Sequence, residues 1–249
     1  MTAQDLAGRR ALVTGGANGI GLACVRELAA RGAHVTVADL DAQETASVAA
    51  EVGGEARTVD LSGTGAQSAL HLDADILVNN AGLQRVAPIT DYDPEQWRVM
   101  QRVMLEAPFL LIRAALPRMY EGWWGRIVNV SSVHGRHASP YKAAYVAAKH
   151  GLEGLSKVAA LEGASHGVTS NCVSPGYVRT PFTEKQIGDQ ARLHELRPDE
   201  VLDRIMLADM AIKRLIEPGE VASLVGWLVG EHASMVTGAS FTMDGGWTT

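Results

Sequence analysis

Residues 10–21 read RALVTGGANGIG, and this stretch decides the fold. A short β-branched and apolar run, Arg10–Thr14, is followed at once by glycines at 15, 16, 19 and 21. A strand that breaks into a glycine-rich turn and then a helix lets the main chain approach a ligand closely. It also aims the unpaired N–H groups of the helix start at that ligand, a cradle suited to a pyrophosphate. Thr14, Gly15, Asn18, Gly19, Ile20 and Gly21 are the cofactor-binding candidates here. Asp39 closes the next apolar run about twenty residues on. A carboxylate there accepts hydrogen bonds from ribose hydroxyls and repels a 2′-phosphate, which predicts NAD as the cofactor.

Outward from that turn, the same alternation repeats. His34–Ala38, Ala56–Val59, Ile76–Val78, Arg126–Val130 and Thr169–Val173 read as short strands, with Ser240–Met243 as a last one. Their apolar residues run continuously, as in strands covered on both faces. Helical stretches lie between them at Gly19–Arg31, Ala42–Val52, Pro94–Tyr120, Tyr141–Ser165 and Gly219–Val229. Strand and helix in regular succession imply right-handed crossovers and a parallel sheet. The expected architecture is α/β: one doubly wound parallel sheet with helices on both faces, forming a single domain over residues 1–249. The charged, helix-prone segment from 182 to 210 is expected to be a small lid.

Composition narrows the function. The 249 residues carry 22 Lys and Arg against 28 Asp and Glu, a formal charge of −6, which disfavours a nucleic-acid partner. Aromatics at 5% leave little for base stacking. The two cysteines, Cys24 and Cys172, cannot build a disulfide framework, and no histidine spacing suggests a metal centre. Residues 1–10 lack the apolar core of a secretion signal, and no run is long enough for a membrane helix, so a cytoplasmic protein without a membrane partner is expected.

Two further segments bear on chemistry. Asn79-Asn80-Ala81-Gly82 follows the fourth strand, and Tyr145-Val146-Ala147-Ala148-Lys149 opens a helix thirteen residues after Ser132. Tyr145 and Lys149, four apart, share a helix face. A phenol with a free pKa near ~10 is a poor base at neutral pH, and a neighbouring ammonium and a positive nicotinamide would favour its phenolate. Ser132 is placed to hydrogen-bond a substrate oxygen.

Taken together, TGGANGIG, NNAG, Ser132 and YVAAK in this order resemble the short-chain dehydrogenase/reductase family over essentially the whole chain. The resemblance implies a Rossmann-type fold and a homotetramer. It implies Tyr145 as acid/base, Ser132 as polariser, and Lys149 as the residue that holds the ribose and lowers the tyrosine pKa. It implies that Asp60 and Leu61 flank the adenine, and that Asn79, Ala81 and Gly82 line the cofactor side. Pro175, Gly176, Val178 and Thr180 would border the nicotinamide. Within the family, VNNAGLQRVAPI, SVHG, KAAYVAAKHG and TPFTEKQ resemble the D-3-hydroxybutyrate dehydrogenases. That likeness implies that Gln84, His134, Lys142 and Gln186 hold the carboxylate of a short hydroxy acid beside Ser132 and Tyr145. A neutral alcohol or a 3-oxoacyl thioester is the rival substrate, and a weakly catalytic NAD(H)-binding regulator is the rival class. Two departures stand out. Met104 occupies a position where the family usually has an asparagine that helps to hold a water. The stretch from Asp60 to Asp75 is short, with glycines at 63 and 65, and predicts a brief helix.

Overall fold

A computed structural model describes residues 4–63 and 72–249. The sheet has seven parallel strands in the order β3-β2-β1-β4-β5-β6-β7. These are β1 Arg10–Thr14, β2 His34–Asp39, β3 Glu55–Thr58, β4 Ile76–Asn79, β5 Gly125–Val130, β6 Val168–Pro175 and β7 Ser240–Met243. β4, β5 and β6 are buried along their whole length, covered on both faces, and carry buried polar residues such as Asn129, Ser170 and Asn171 among their apolar ones.

Alternate side chains face the two helical layers. Val13, Ile76, Val78 and Val128 pack against α1 (Gly19–Ala30) and α8 (Pro218–Val229) through Val25, Leu28, Val221, Val225 and Leu228. Leu12, Leu77 and Ile127 face the opposite layer. There α4 (Ala107–Glu121) and α5 (Ala143–Gly163) supply Leu111, Ile112, Ala115, Met119 and Ala159. The remaining helices are α2 (Ala42–Val52), α3 (Pro94–Gln101), α6 (Pro181–His194) and α7 (Pro198–Val201).

The single helix expected over Pro94–Tyr120 is two helices joined by a π-helical turn at Arg102–Glu106. The extra residue of that turn rotates α4 relative to α3 without breaking the chain's course. The brief helix expected between Asp60 and Asp75 falls mainly on residues 64–71, outside the described residues. Among the described residues, no helix is long and apolar enough to cross a membrane.

The strand order reverses between β1 and β4. In an open parallel sheet the loops beyond the strand ends diverge at such a point and leave a crevice.

Candidate active site

The crevice is present as a cleft of about 530 Å³. Its wall begins with the glycine turn: Gly15, Asn18, Gly19 and Ile20 line it. A Cβ on Gly21 would collide with the carbonyl oxygen of Gly15, so the turn closes only with glycine at 21. The start of α1 is open. Asn18 is extended (φ −149°) and makes no capping bond, and the first turn holds no acidic residue. By contrast, Asp41 caps α2 by accepting from the Gln43 and Glu44 N–H groups at 2.9 and 3.0 Å. The free donors of α1 and the positive end of its dipole therefore point into the cleft. These features fit a dinucleotide pyrophosphate.

Asp39 stands at the cleft edge with its carboxylate fixed. It accepts from the Ala17 N–H at 2.9 Å and the Leu40 N–H at 2.7 Å. Asp60, Leu61, Ala81, Gly82, Pro175, Gly176, Val178 and Thr180 also line the cleft. Asp60 accepts from the Ser62 N–H at 2.8 Å, and hydrogen bonds from Ser62 hold its carboxyl below the usual range. Three predicted residues are not among the lining: Thr14, Gly21 and Asn79. Thr14 Oγ1 instead accepts from the Asn80 and Ala81 N–H groups at 3.0 and 3.1 Å. Asn79 lies under the floor, where its amide donates to Asn129 Oδ1 at 2.8 Å. Asn80, passed over in the sequence, clasps the turn by donating to the Thr14 and Gly15 carbonyls at 3.0 and 2.9 Å. The doubled asparagine was the available signal.

Ser132, Tyr145 and Lys149 meet in the same cleft. Ser132 ends the loop after β5, and its Oγ accepts from the His134 N–H at 3.1 Å, opening a short 3-10 turn at Val133–Gly135. Lys149 is buried and donates to the Val130 carbonyl at 2.7 Å, with its Nζ 5.7 Å from the centre of the Tyr145 ring. Burial draws the lysine down to about 8, opposed by Cys172 and Glu153. The phenol of Tyr145 is pushed up, not down, from its usual value. Its own burial outweighs a hydrogen bond from Ser132, and Tyr177 adds to the rise. The sequence suggested a phenol acidified by its ammonium neighbour. In the chain by itself desolvation of the oxygen dominates, before the positive nicotinamide that the sequence reading also invoked is bound.

Met104 sits in the π-helical turn, buried with Met100, Ala144 and Ala148, and Tyr145 packs against this cluster.

The four remaining candidates also line the cleft and fall into two touching pairs. Gln186, from α6, donates to Gln84 Oε1 at 2.8 Å, joining the segment predicted as a lid to the loop after β4. Lys142 Nζ lies 3.4 Å from His134 Nε2, which also meets Ser139 Oγ at 2.8 Å. Burial, with the charge of Lys142 second, depresses His134 to about 4, so the ring is neutral near pH 7. Burial also lowers Lys142. The Lys142 ammonium has no carboxylate within 4.0 Å among the described residues. Gln84 Nε2 is buried without a hydrogen-bond partner.

One contributor escaped the sequence reading. Trp247 lines the cleft, stacks on Tyr177 with ring centres 5.2 Å apart, and meets His134 edge-on at 5.7 Å. The turn that returns it to the site is held by Asp244, which accepts from the Gly246 and Thr248 N–H groups at 3.0 and 2.9 Å. A tryptophan directly after Asp-Gly-Gly was its only trace in the sequence.

Residues 15–248 match the family described as enoyl-(acyl carrier protein) reductase. The D-beta-hydroxybutyrate dehydrogenase of Rhizobium meliloti (strain 1021) is 44% identical over 254 residues, covering 96% of this chain and 98% of that one. A solved short chain dehydrogenase/reductase family protein superposes with a TM-score of 0.88 at 34% identity, covering 99% of this chain and all of the other. The chain belongs to the short-chain dehydrogenase/reductase family. It is an oxidoreductase of that family, of a kind that uses a nicotinamide cofactor. A further solved member, a candidate 2-deoxy-D-gluconate 3-dehydrogenase from Agrobacterium tumefaciens, has NADP bound. It superposes at TM-score 0.86 and 33% identity, with 99% of each chain covered.

Proposed function

We propose that this dehydrogenase oxidises (R)-3-hydroxybutyrate to acetoacetate, reversibly and with NAD. The observation that carries the reading is Lys142: a half-buried ammonium beside a neutral histidine, with no carboxylate to answer it among the described residues. A cation of that kind is stabilised by an anion that arrives with the ligand. The likeness to the Rhizobium enzyme supports the same choice.

The glycine turn and the α1 start would hold the pyrophosphate, Asp39 the adenosine ribose, and Lys149 the nicotinamide ribose. When bound, NAD supplies the acceptor for the hydride on C3. Tyr145 takes the proton of the substrate hydroxyl, and Ser132 steadies that oxygen. The buried phenol gives up its own proton only next to positive charge, and the Lys149 ammonium provides part of it. Lys142 binds the carboxylate, and the two glutamines and His134 orient it. Trp247 and Tyr177 wall the apolar end. Fixed placement of this kind contributes several kcal/mol to lowering a barrier.

Asp39 at the cleft edge supports NAD, since a carboxylate there would accept from ribose hydroxyls and repel a 2′-phosphate. The subunits assemble as a homotetramer through α4 and α5, whose Phe109, Val158 and Leu161 are exposed. Light scattering tests the assembly. Absorbance at 340 nm with NAD or NADP and each enantiomer of 3-hydroxybutyrate tests the activity. Turnover of the (R)-acid with NAD is expected, and turnover only of neutral alcohols would refute the assignment.

A further inference from the structure

We propose that Tyr141 is a positioning residue of this site: its left-handed backbone, tied to the Ala87 N–H, is the elbow that turns Lys142 into the cleft. The inference rests on the acid-binding reading above and adds a residue to it.

Among the described residues, three other than glycine have a positive φ: Trp123 (49°), Tyr141 (65°) and Glu195 (53°). Left-handed backbone crowds the Cβ of an L-residue, and a bulky side chain with no local hydrogen bond to offer rarely adopts it. Two of the three have an ordinary reason. Glu195 caps the end of α6, and Trp123 follows the last turn of α4, where a left-handed residue closes a helix. Tyr141 has no such reason. It precedes the start of α5, a place where capping does not call for that conformation. The residue is 59% exposed, so packing of its side chain does not hold it there.

What holds it is main chain. The Tyr141 carbonyl accepts from the Ala87 N–H at 2.9 Å, and Ala87 lies in the same loop beyond β4 as Gln84. On one side, Pro140 fixes its own φ, and Ser139 Oγ meets His134 Nε2 at 2.8 Å. On the other side, α5 is already anchored. The Val146 N–H donates to the Lys142 carbonyl at 2.9 Å, and Gln101 Nε2 of α3 donates to the Ala144 carbonyl at 2.9 Å. Between these fixed points, a return of residue 141 to a negative φ would turn its carbonyl away from Ala87, and residue 142 would absorb the change. Lys142 is the N-cap of α5 and has no side-chain capping bond to resist it. Its ammonium, 3.4 Å from His134 Nε2, would leave the wall it shares with Gln84 and Gln186. Strain of this kind persists only where the surroundings over-determine it, and here three separate segments do so beside a ligand-binding side chain.

The test compares Y141G, Y141A, Y141V and Y141T. Glycine accepts this backbone freely, alanine removes only the ring, and the two β-branched residues disfavour the conformation most. Y141V and Y141T should raise KM for 3-hydroxybutyrate by about fivefold or more, with kcat and the Kd for NADH within about twofold of wild type. Y141A and the backbone-tolerant Y141G should hold KM within about twofold. Y141G should also melt above Y141A, the reverse of the order at an ordinary position. On a K142A background, Y141V should raise KM by less than about twofold, because its effect passes through the lysine. The proposal is overturned by a wild-type KM in both β-branched variants, or by a loss shared equally among KM, kcat and NADH binding. A full effect of Y141V on the K142A background, or Y141A melting above Y141G, would overturn it as well. An unchanged KM in K142A would instead refute the acid-binding reading. The NMR shift of Lys142, labelled with 13C at Cε and assigned with K142R, then decides: the proposal stands if Y141V moves it and falls if it does not.

Discussion

The two halves of the cleft are built from different material. The half proposed for the dinucleotide is mostly main chain: a glycine turn and an uncapped helix start, braced by the Asn80 side chain on the Thr14 and Gly15 carbonyls and edged by the Asp39 carboxylate. The half proposed to take the acid is side chain: Gln84, His134, Lys142, Gln186 and Trp247, drawn from the loop after β4, the turn after β5, the entry to α5, α6 and the C-terminal turn. Backbone donors cannot be mutated one at a time, and they suit a ligand that every family member shares. Side chains can be exchanged singly without disturbing the sheet, which is how one scaffold serves many substrates. The halves should therefore fail separately when perturbed.

The largest expected effect falls where they meet. Y145F removes the proton acceptor and should lower kcat by about 10³-fold, within the range for acid–base groups, while the Kd for NADH changes little. A smaller loss would move the acid/base role elsewhere. K142A should raise KM for the acid by about tenfold or more and leave the Kd for NADH unchanged, since an ion pair is lost on one side only. Weakened NADH binding would show that the halves are coupled. D39N does the reverse. It should relax the preference for NAD over NADP by about tenfold, read as the ratio of kcat/KM for the two cofactors, with the acid KM held. M104N is expected to change kcat by less than about threefold, because the buried cluster that Met104 packs with consists of Met100, Ala144 and Ala148. A gain of about a hundredfold would mean that the natural chain lacks a working proton exit.

The acid half also has its own pH signature. His134 titrates at about 4 in the folded chain, below its model-peptide value of 6.5. The unfolded chain therefore binds the proton first. The neutral ring carries no stability penalty above pH 6.5, and stability falls as the pH drops from 6.5 towards 4. The loss is on the order of 3 kcal/mol. Thermal melts across that window should show it, and H134Q should flatten the slope.

Much of the main-chain half could be read in advance. Glycine spacing and continuous apolar runs are local signals, and β1, α2 and β7 occupy the stretches they mark. The four polar candidates of the other half were found only through a likeness, because nothing in a lone glutamine announces a partner 102 positions away. The π-helical turn stayed hidden since one extra residue barely alters the apolar spacing around Met104. Spacing reveals the lysine beside Tyr145 but not the depth of burial, which raises the phenol in the chain by itself.

The bond between Gln84 and Gln186 is already made before any acid arrives. Two distant stretches of chain are thus stapled together at rest, so an incoming molecule need not bear the entropic cost of gathering them. The pair also leaves the Gln84 Nε2 donors unspent, so an acceptor oxygen can be met there without breaking it. A guest without such an oxygen would leave that buried amide unanswered.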